Sequence, residues 1–191
     1  ARRARRSARP NDVSEWTEVQ KFGPSATTYP TLACGPNDTL YLTCRVSGKK
    51  WEVMMFRKPR GERWSKVGTI LKSRFTGYSH FQEALAWGPN REKLHLSCRI
   101  YENDGKNLTV GYMVSEDYGQ SWHRADGDPV ELPATAETVD AIASTDEGRS
   151  GLSFRCGSIA VDEDGIPHVL YSSWGKQAGS TAVLATFEEG N

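Results

Sequence analysis

A chain of 191 residues with 37% apolar and 10% aromatic content can bury a core, which excludes a disordered polymer. Lysine plus arginine and aspartate plus glutamate each total 24, but five arginines crowd into Ala1 to Arg9, so from Pro10 onward the balance is 19 positive against 24 negative. That leaves no broad basic field for nucleic acid, and no run approaches the roughly 20 apolar residues of a membrane-spanning helix; no nucleic acid and no membrane are expected as partners.

Residues 1–15 read as a basic, disordered leader, the alternative being an arm for nucleic acid or anionic lipid. No apolar stretch of an export signal follows the arginines. Beyond them the chain repeats itself. Thr31 to Arg45 (TLACGPNDTLYLTCR) matches Ala84 to Arg99 (ALAWGPNREKLHLSCR) with one inserted residue, and a third copy runs from Ser158 through Ser172. Each copy is a short apolar strand, a Gly/Asn/Asp turn and an alternating strand, hence a β-hairpin. Met55 to Trp64 and Met113 to Trp122 then align without a gap and supply a second hairpin per unit. Four strands per unit at this spacing predict an all-β propeller of four-stranded antiparallel blades, with about three blades present as an incomplete ring. The blades are expected at 29–71, 82–124 and 156–191, the last one unfinished, with 125–155 a long loop. Two radial edges would be left open, so the remainder of its own propeller is the expected partner.

Ser115, Asp117, Gly119, Ser121 and Trp122 spell an Asp-box, the repeat of bacterial neuraminidases. A carboxylate and hydroxyls satisfy the amides of a tight turn, Gly takes a positive φ, and Trp pins the turn to the blade, so these five are structural. The first unit keeps only Gly61 and Trp64 of the pattern. Cys34, Cys44, Cys98 and Cys156 lack the paired spacing of a zinc site and read as small core residues. No His or carboxylate cluster has ligand spacing and no nucleophile elbow is present, so neither metal nor cofactor is expected.

In an up-and-down blade the Asp-box turn joins strands 3 and 4 at one end, which sends the connections into strand 1 and out of strand 2 to the other. That face receives Tyr29, Arg45, Arg74, Tyr78, His80, Arg99, Tyr101, Arg155 and Trp174, and the 125–155 loop, of a length typical of binding loops, is expected there too. His95 and His168 share the strand slot of Tyr41 and read as packing residues; His123 reads as surface. Arg45 and Arg99 recur with the repeat, so structural and functional readings stand side by side. Tyr78 and Tyr101 equally suit a core shield.

The segments SWHRADGDPVELP (Ser121 to Pro133), CGSIAVD (Cys156 to Asp162) and GIPH (Gly165 to His168) resemble the neuraminidase-repeat propellers, over most of Tyr29 to Thr186. The branch concerned is similar to ulvan lyases and rhamnose-glucuronate lyases, which act on uronate-containing glycans. The resemblance implies an acidic polysaccharide or oligosaccharide as ligand, a secreted or periplasmic location, and β-elimination as chemistry. It assigns His80 with Tyr78 or Tyr101 to proton transfer and Arg99 or Arg45 to neutralising the carboxylate; Tyr29, Arg155 and Trp174 join Arg45 as substrate-binding candidates. The alternatives are a sialidase-like glycoside hydrolase, which needs a carboxylate pair or a Tyr/Glu nucleophile, and a non-catalytic glycan-binding propeller. Sequons occur at Asn37 and Asn107.

Overall fold

The computed structural model describes residues 2–102, 108–145, 152–176 and 179–187; the sequon at Asn107 lies outside them. The basic opening is not a free leader. Strand β1 (Arg2–Ala4) pairs antiparallel with β2 (Gln20–Phe22), and the ladder reappears as a bridge between Ser7 and Trp16. Asp12 holds the turn, its Oδ1 accepting the Ser14 N–H at 2.8 Å. Phe22 fastens the hairpin to the first blade, stacking on Trp64 with centroids 4.7 Å apart and meeting Phe56 edge-on at 5.6 Å. Backbone pairing and this aromatic anchor offset the mutual repulsion of the arginines.

The first blade is β3 (Thr27–Cys34), β4 (Leu40–Val46), β5 (Glu52–Lys58) and β6 (Ser65–Lys72), paired in that order. The second opens with β7 (His80–Trp87), β8 (Leu94–Tyr101) and β9 (Leu108–Ser115). Its outer strand comes in two pieces, β10 (Trp122–His123) and β12 (Asp140–Ser144), both paired to β9, while β11 (Pro129–Val130) folds back on β10. The third blade is β13 (Leu152–Val161), β14 (Pro167–Gly175) and β15 (Gly179–Thr186). Both β7 and β8 pack against β13, and β3 lies beside β7, so the sheets stand face to face around an axis as propeller blades do.

Strand periodicity explains the packing. Leu94, Leu96, Cys98 and Ile100 of β8 point into one core with Val53, Met55, Ile70 and Leu71 of the first blade and with Phe81, Met113 and Trp122. Val110 and Tyr112 of β9 point the other way, into a second core with Phe154, Ile159 and Val169. Cys44, Cys98 and Cys156 are buried as small core residues, whereas Cys34 ends β3 in an exposed position because its side chain falls on the open face of the first blade; all four thiols are free.

The segment 125–155 corrects the sequence reading. It begins by leaving the outer edge of the second blade and docking on the first, where Ala134 donates to Ile70 O at 2.9 Å and accepts from Lys72 N–H at 2.8 Å. Val130, Ala134 and Val139 are buried there. It then rejoins the sheet as β12, and its last residues already belong to β13. The described part is therefore a brace between two blades, for which its spaced apolar residues supply the reason, and it reaches the functional face only through the ion pair of Glu137 with Arg74. Residues 146–151 of the predicted loop lie outside the described residues. The blades accordingly start earlier than read, at Thr27, His80 and Leu152, and the second extends to Ser144.

The Asp-box behaves as a polar lock. Asp117 Oδ1 accepts from the backbone N–H of Gln120 at 3.0 Å and of Ser121 at 2.8 Å and from Ser115 Oγ at 2.9 Å; its Oδ2 accepts from Ser121 Oγ at 2.7 Å. Ser115 Oγ accepts the Gly119 N–H at 2.7 Å, and Trp122 Nε1 donates to Gly119 O at 3.2 Å. Gly119 has φ +89°, and a methyl group there would come within 2.6 Å of the Met55 thioether of the first blade. The matching Gly61, at φ +80°, has nothing within 4 Å of that position.

Candidate functional site

Strand ends set the site. His80 opens β7 directly opposite Tyr101 at the end of β8, and Arg99 sits opposite Gln82 two residues back, so three candidates share one end of the second blade. Arg45 occupies the matching place on β4 of the first blade. A register shift between Thr28 and Thr31 in β3 puts Tyr29 in a left-handed conformation, φ +50°, which is rare for a bulky residue and turns its ring toward His80, 4.6 Å away.

Arg45 is buried inside an aromatic cage. Its guanidinium carbon lies 4.4 Å from the Trp51 ring centre, 4.6 Å from Tyr29 and 5.4 Å from Tyr78. It donates to Thr28 Oγ1 at 2.9 Å and to Tyr78 Oη and Ser79 O, both at 3.3 Å. Accepting from Arg45 leaves the Tyr78 hydroxyl proton free for an outside acceptor. Tyr78 itself is 47% exposed, so that proton is within reach of a ligand.

Arg99 is buried one blade further on. Its Nη1 lies 3.0 Å from His80 Nδ1, and its guanidinium carbon 5.6 Å from the Tyr101 ring centre. Burial first, then the charge of Arg155, pulls Arg99 down to about 10, so it remains a cation at neutral pH. Arg99 Nε is buried without a hydrogen-bond partner among the described residues. Burial, followed by the charges of Arg99, Arg45 and Arg155, pushes His80 down to about 4, so its ring is neutral near pH 7. Since a guanidinium only donates, Nδ1 is the acceptor and the His80 proton belongs on Nε2.

Of the sequence candidates, Tyr29, Arg45, Tyr78, His80, Arg99 and Tyr101 come together. Arg155, on β13, adds its charge to that group while its own Nη1 donates to Ser153 Oγ at 3.3 Å and Phe154 O at 3.2 Å. Trp174 lies exposed near the end of β14, opposite Ser153, and has no ring contact with the cluster among the described residues. Arg74 is taken up by ion pairs to the fully buried Glu102 and to Glu137. Glu102 Oε1 also accepts from Ser73 Oγ, which is bonded to Ser79 Oγ at 2.8 Å, so this carboxylate anchors the loop carrying Tyr78 and His80.

The other histidines are separate. His95 is buried between blades, its Nδ1 2.7 Å from Tyr112 Oη, and His168 bonds Asp162 and Thr186, both at 3.0 Å. Sequence reading missed Trp51 and Glu102. Trp51 follows Arg45 in the connection out of strand 2, which the blade topology already sends to this face; Glu102 had no signal beyond its place next to Tyr101. Among the described residues no group of three or more His, Cys, Asp or Glu side chains has the geometry to hold a metal ion.

The arrangement presents buried cations, rings and hydroxyls to a ligand that has both a charge to neutralise and apolar faces to stack. Solved structures share the fold. The chain superposes on an ulvan lyase bound to a GlcA(1-4)Rha3S repeat with a TM-score of 0.76 and 18% identity, covering 97% of this chain and 46% of that one; a second ulvan lyase structure gives the same values. An α-L-arabinanase of Penicillium chrysogenum complexed with arabinobiose matches with a TM-score of 0.59 and 18% identity over 84% of this chain and 45% of its own. The chain thus spans a little under half the length of these structures. No curated protein matches its sequence. The family model for BNR repeat-containing proteins matches residues 2–190, and the chain belongs to that family.

Proposed function

We propose that this chain forms part of a carbohydrate-active propeller that binds a uronate-containing polysaccharide and cleaves it by β-elimination. The observation that carries the reading is the Arg99–His80 pair, 3.0 Å apart, with Tyr78 and Tyr101 at its rim. In β-elimination the C5 proton leaves, the C4–O bond breaks, a C4=C5 double bond forms and the leaving oxygen gains a proton. The charge that develops on the carboxylate is met by the Arg99 guanidinium and the Nε2–H of His80. With its Nδ1 held by Arg99, His80 serves as a donor rather than as the base, and proton transfer is divided between the tyrosines: Tyr101, acting as the phenolate, takes the C5 proton, and Tyr78, whose hydroxyl accepts from Arg45 and keeps its own proton to give, protonates the leaving C4 oxygen. Arg45, enclosed by three rings, positions Tyr78. A secreted or periplasmic location belongs to this reading, since such polymers are met outside the cytoplasm.

Incubation of the protein with ulvan and other uronate glycans, while ultraviolet absorbance from unsaturated products is followed, tests it. Product should form, His80→Ala should abolish it, and His168→Ala should leave it intact; equal losses in both variants would sink the assignment. A non-catalytic glycan-binding role is the second reading, favoured by the extent to which Arg45 is already committed to its cage. The hydrolase alternative has less support, because Glu102, the carboxylate next to Tyr101, is fully buried and bound to Arg74.

A further inference from the structure

Beside the aromatic cage lies a cleft that the catalytic cluster does not use. The turn between β4 and β5 (47–51) and the loop 73–79 are fastened edge to edge: Gly77 N–H donates to Lys49 O at 3.0 Å, Ser73 N–H to Trp51 O at 2.8 Å, and Lys50 bridges Gly77 in parallel. Against these loops opens a space of about 470 Å³ lined by Lys49, Lys50, Glu52, Lys72 and Thr76. Glu52 and Lys72 are cross-strand partners, so one negative charge stands among three positive ones.

Two features separate this patch from an ordinary solvated surface. First, none of the three lysines forms an ion pair among the described residues, whereas the neighbouring Arg74 is paired with both Glu102 and Glu137. Secondly, the backbone that carries Lys49 and Lys50 runs straight into Trp51, whose ring meets Tyr78 edge-on at 5.0 Å and covers Arg45. The backbone of 49–51 therefore joins the lysine cleft directly to the Trp51–Tyr78 pair and the cage around Arg45. A chain of sugars stacked across these rings would carry its next charged substituent toward the lysines.

We infer that the cleft is an anion subsite for a second negative group of the glycan, a sulfate ester or a further carboxylate. Ammonium groups on flexible stems act as point charges and do not demand the planar, two-pronged geometry of an arginine–carboxylate pair, so either anion is accommodated. Exposed lysines also make the contact sensitive to salt. The inference rests on the acidic-glycan reading of the neighbouring cluster.

The test is calorimetric titration of the protein with a sulfated ulvan oligosaccharide and with its chemically desulfated form. The variants are the combined Lys49→Gln, Lys50→Gln, Lys72→Gln protein and its Lys→Arg counterpart at the same positions. The Gln variant should bind the sulfated chain about tenfold more weakly, with a shallower salt dependence, and the Arg variant should stay within about twofold of wild type. A loss confined to the sulfated chain identifies the sulfate as the group bound, and an equal loss on the desulfated chain identifies a carboxylate. Wild-type affinity retained by the Gln variant, or an equal loss in the Arg variant, overturns the subsite while leaving the central cluster standing. If the wild-type protein binds neither glycan, the acidic-glycan reading fails and the subsite with it.

Discussion

Acid should weaken this fold through two histidines whose burial holds them neutral, His80 and His95, and the second can be isolated. His95 lies between the second and third blades, 3% exposed, with Nδ1 bonded to Tyr112 Oη and Nε2 buried without a partner among the described residues. The imidazolium carries an N–H on both nitrogens, and the one on Nε2 has nothing to accept it; burial, helped by the charge of Lys93, pushes His95 down to about 4. An unfolded histidine titrates near 6.5, about 2.5 units higher. Between the two values the unfolded chain binds more protons, so stability falls as pH drops through about 6.5 and the loss levels off below about 4. Integrated for this one group, the loss from about pH 7.5 to about pH 5 is about 2 kcal/mol. Urea denaturation at both pH values, in wild type and in His95→Gln, isolates it, because carboxylate titrations common to both proteins cancel in the difference. His80 acts in the same direction and is present in both. Acid losses that agree within about 0.5 kcal/mol between the two proteins would refute the reasoning.

Gly35→Ala would drive a methyl group to 2.5 Å from Trp87 and 2.6 Å from Tyr41, so it should cost about 1–3 kcal/mol in thermal or chemical unfolding, while Gly68→Ala, with nothing within 4 Å, should not. Asp117→Ala removes the acceptor for two backbone amides and two hydroxyls and should cost about 2–3 kcal/mol, with Asp117→Asn intermediate; equal stability in all three would remove the polar lock from the account. Arg99→Gln takes one charge away from His80 but leaves its burial, so an NMR titration should find His80 above its wild-type value of about 4 and still below the ordinary range. An unmoved titration would mean that the 3.0 Å contact is absent in solution.

The repeat was legible because a four-stranded blade writes its period into the chain: the Arg45 and Arg99 copies land on equivalent strands, and the Asp-box falls in the turn between β9 and β10. The same topology sends strand-1 entries to one face, which brought Tyr29, Tyr78 and His80 together. Contacts between blades were harder to read. The 125–155 segment has proline and acidic residues that look like loop chemistry, and nothing local says that Ala134 finds its backbone partners on β6. For the opening arginines, local charge argued against order while a distant ring, Trp64, supplies the anchor. The bond from Arg99 to His80 Nδ1 was equally out of reach, because it depends on two side-chain directions.

The two Asp-box glycines turn the propeller into a gauge of its own assembly. Gly119 and Gly61 share nearly the same φ, yet one meets the Met55 thioether and the other meets nothing. A side chain at either place bears the same backbone strain, so the difference in cost between Gly61→Asn and Gly119→Asn is the contribution of a neighbouring blade standing behind the turn. Measured with and without any further polypeptide that packs on the first blade, that difference should shrink as Gly61 acquires a neighbour of its own. A motif usually read as a family mark thereby becomes a local probe of whether the adjoining sheet is in place.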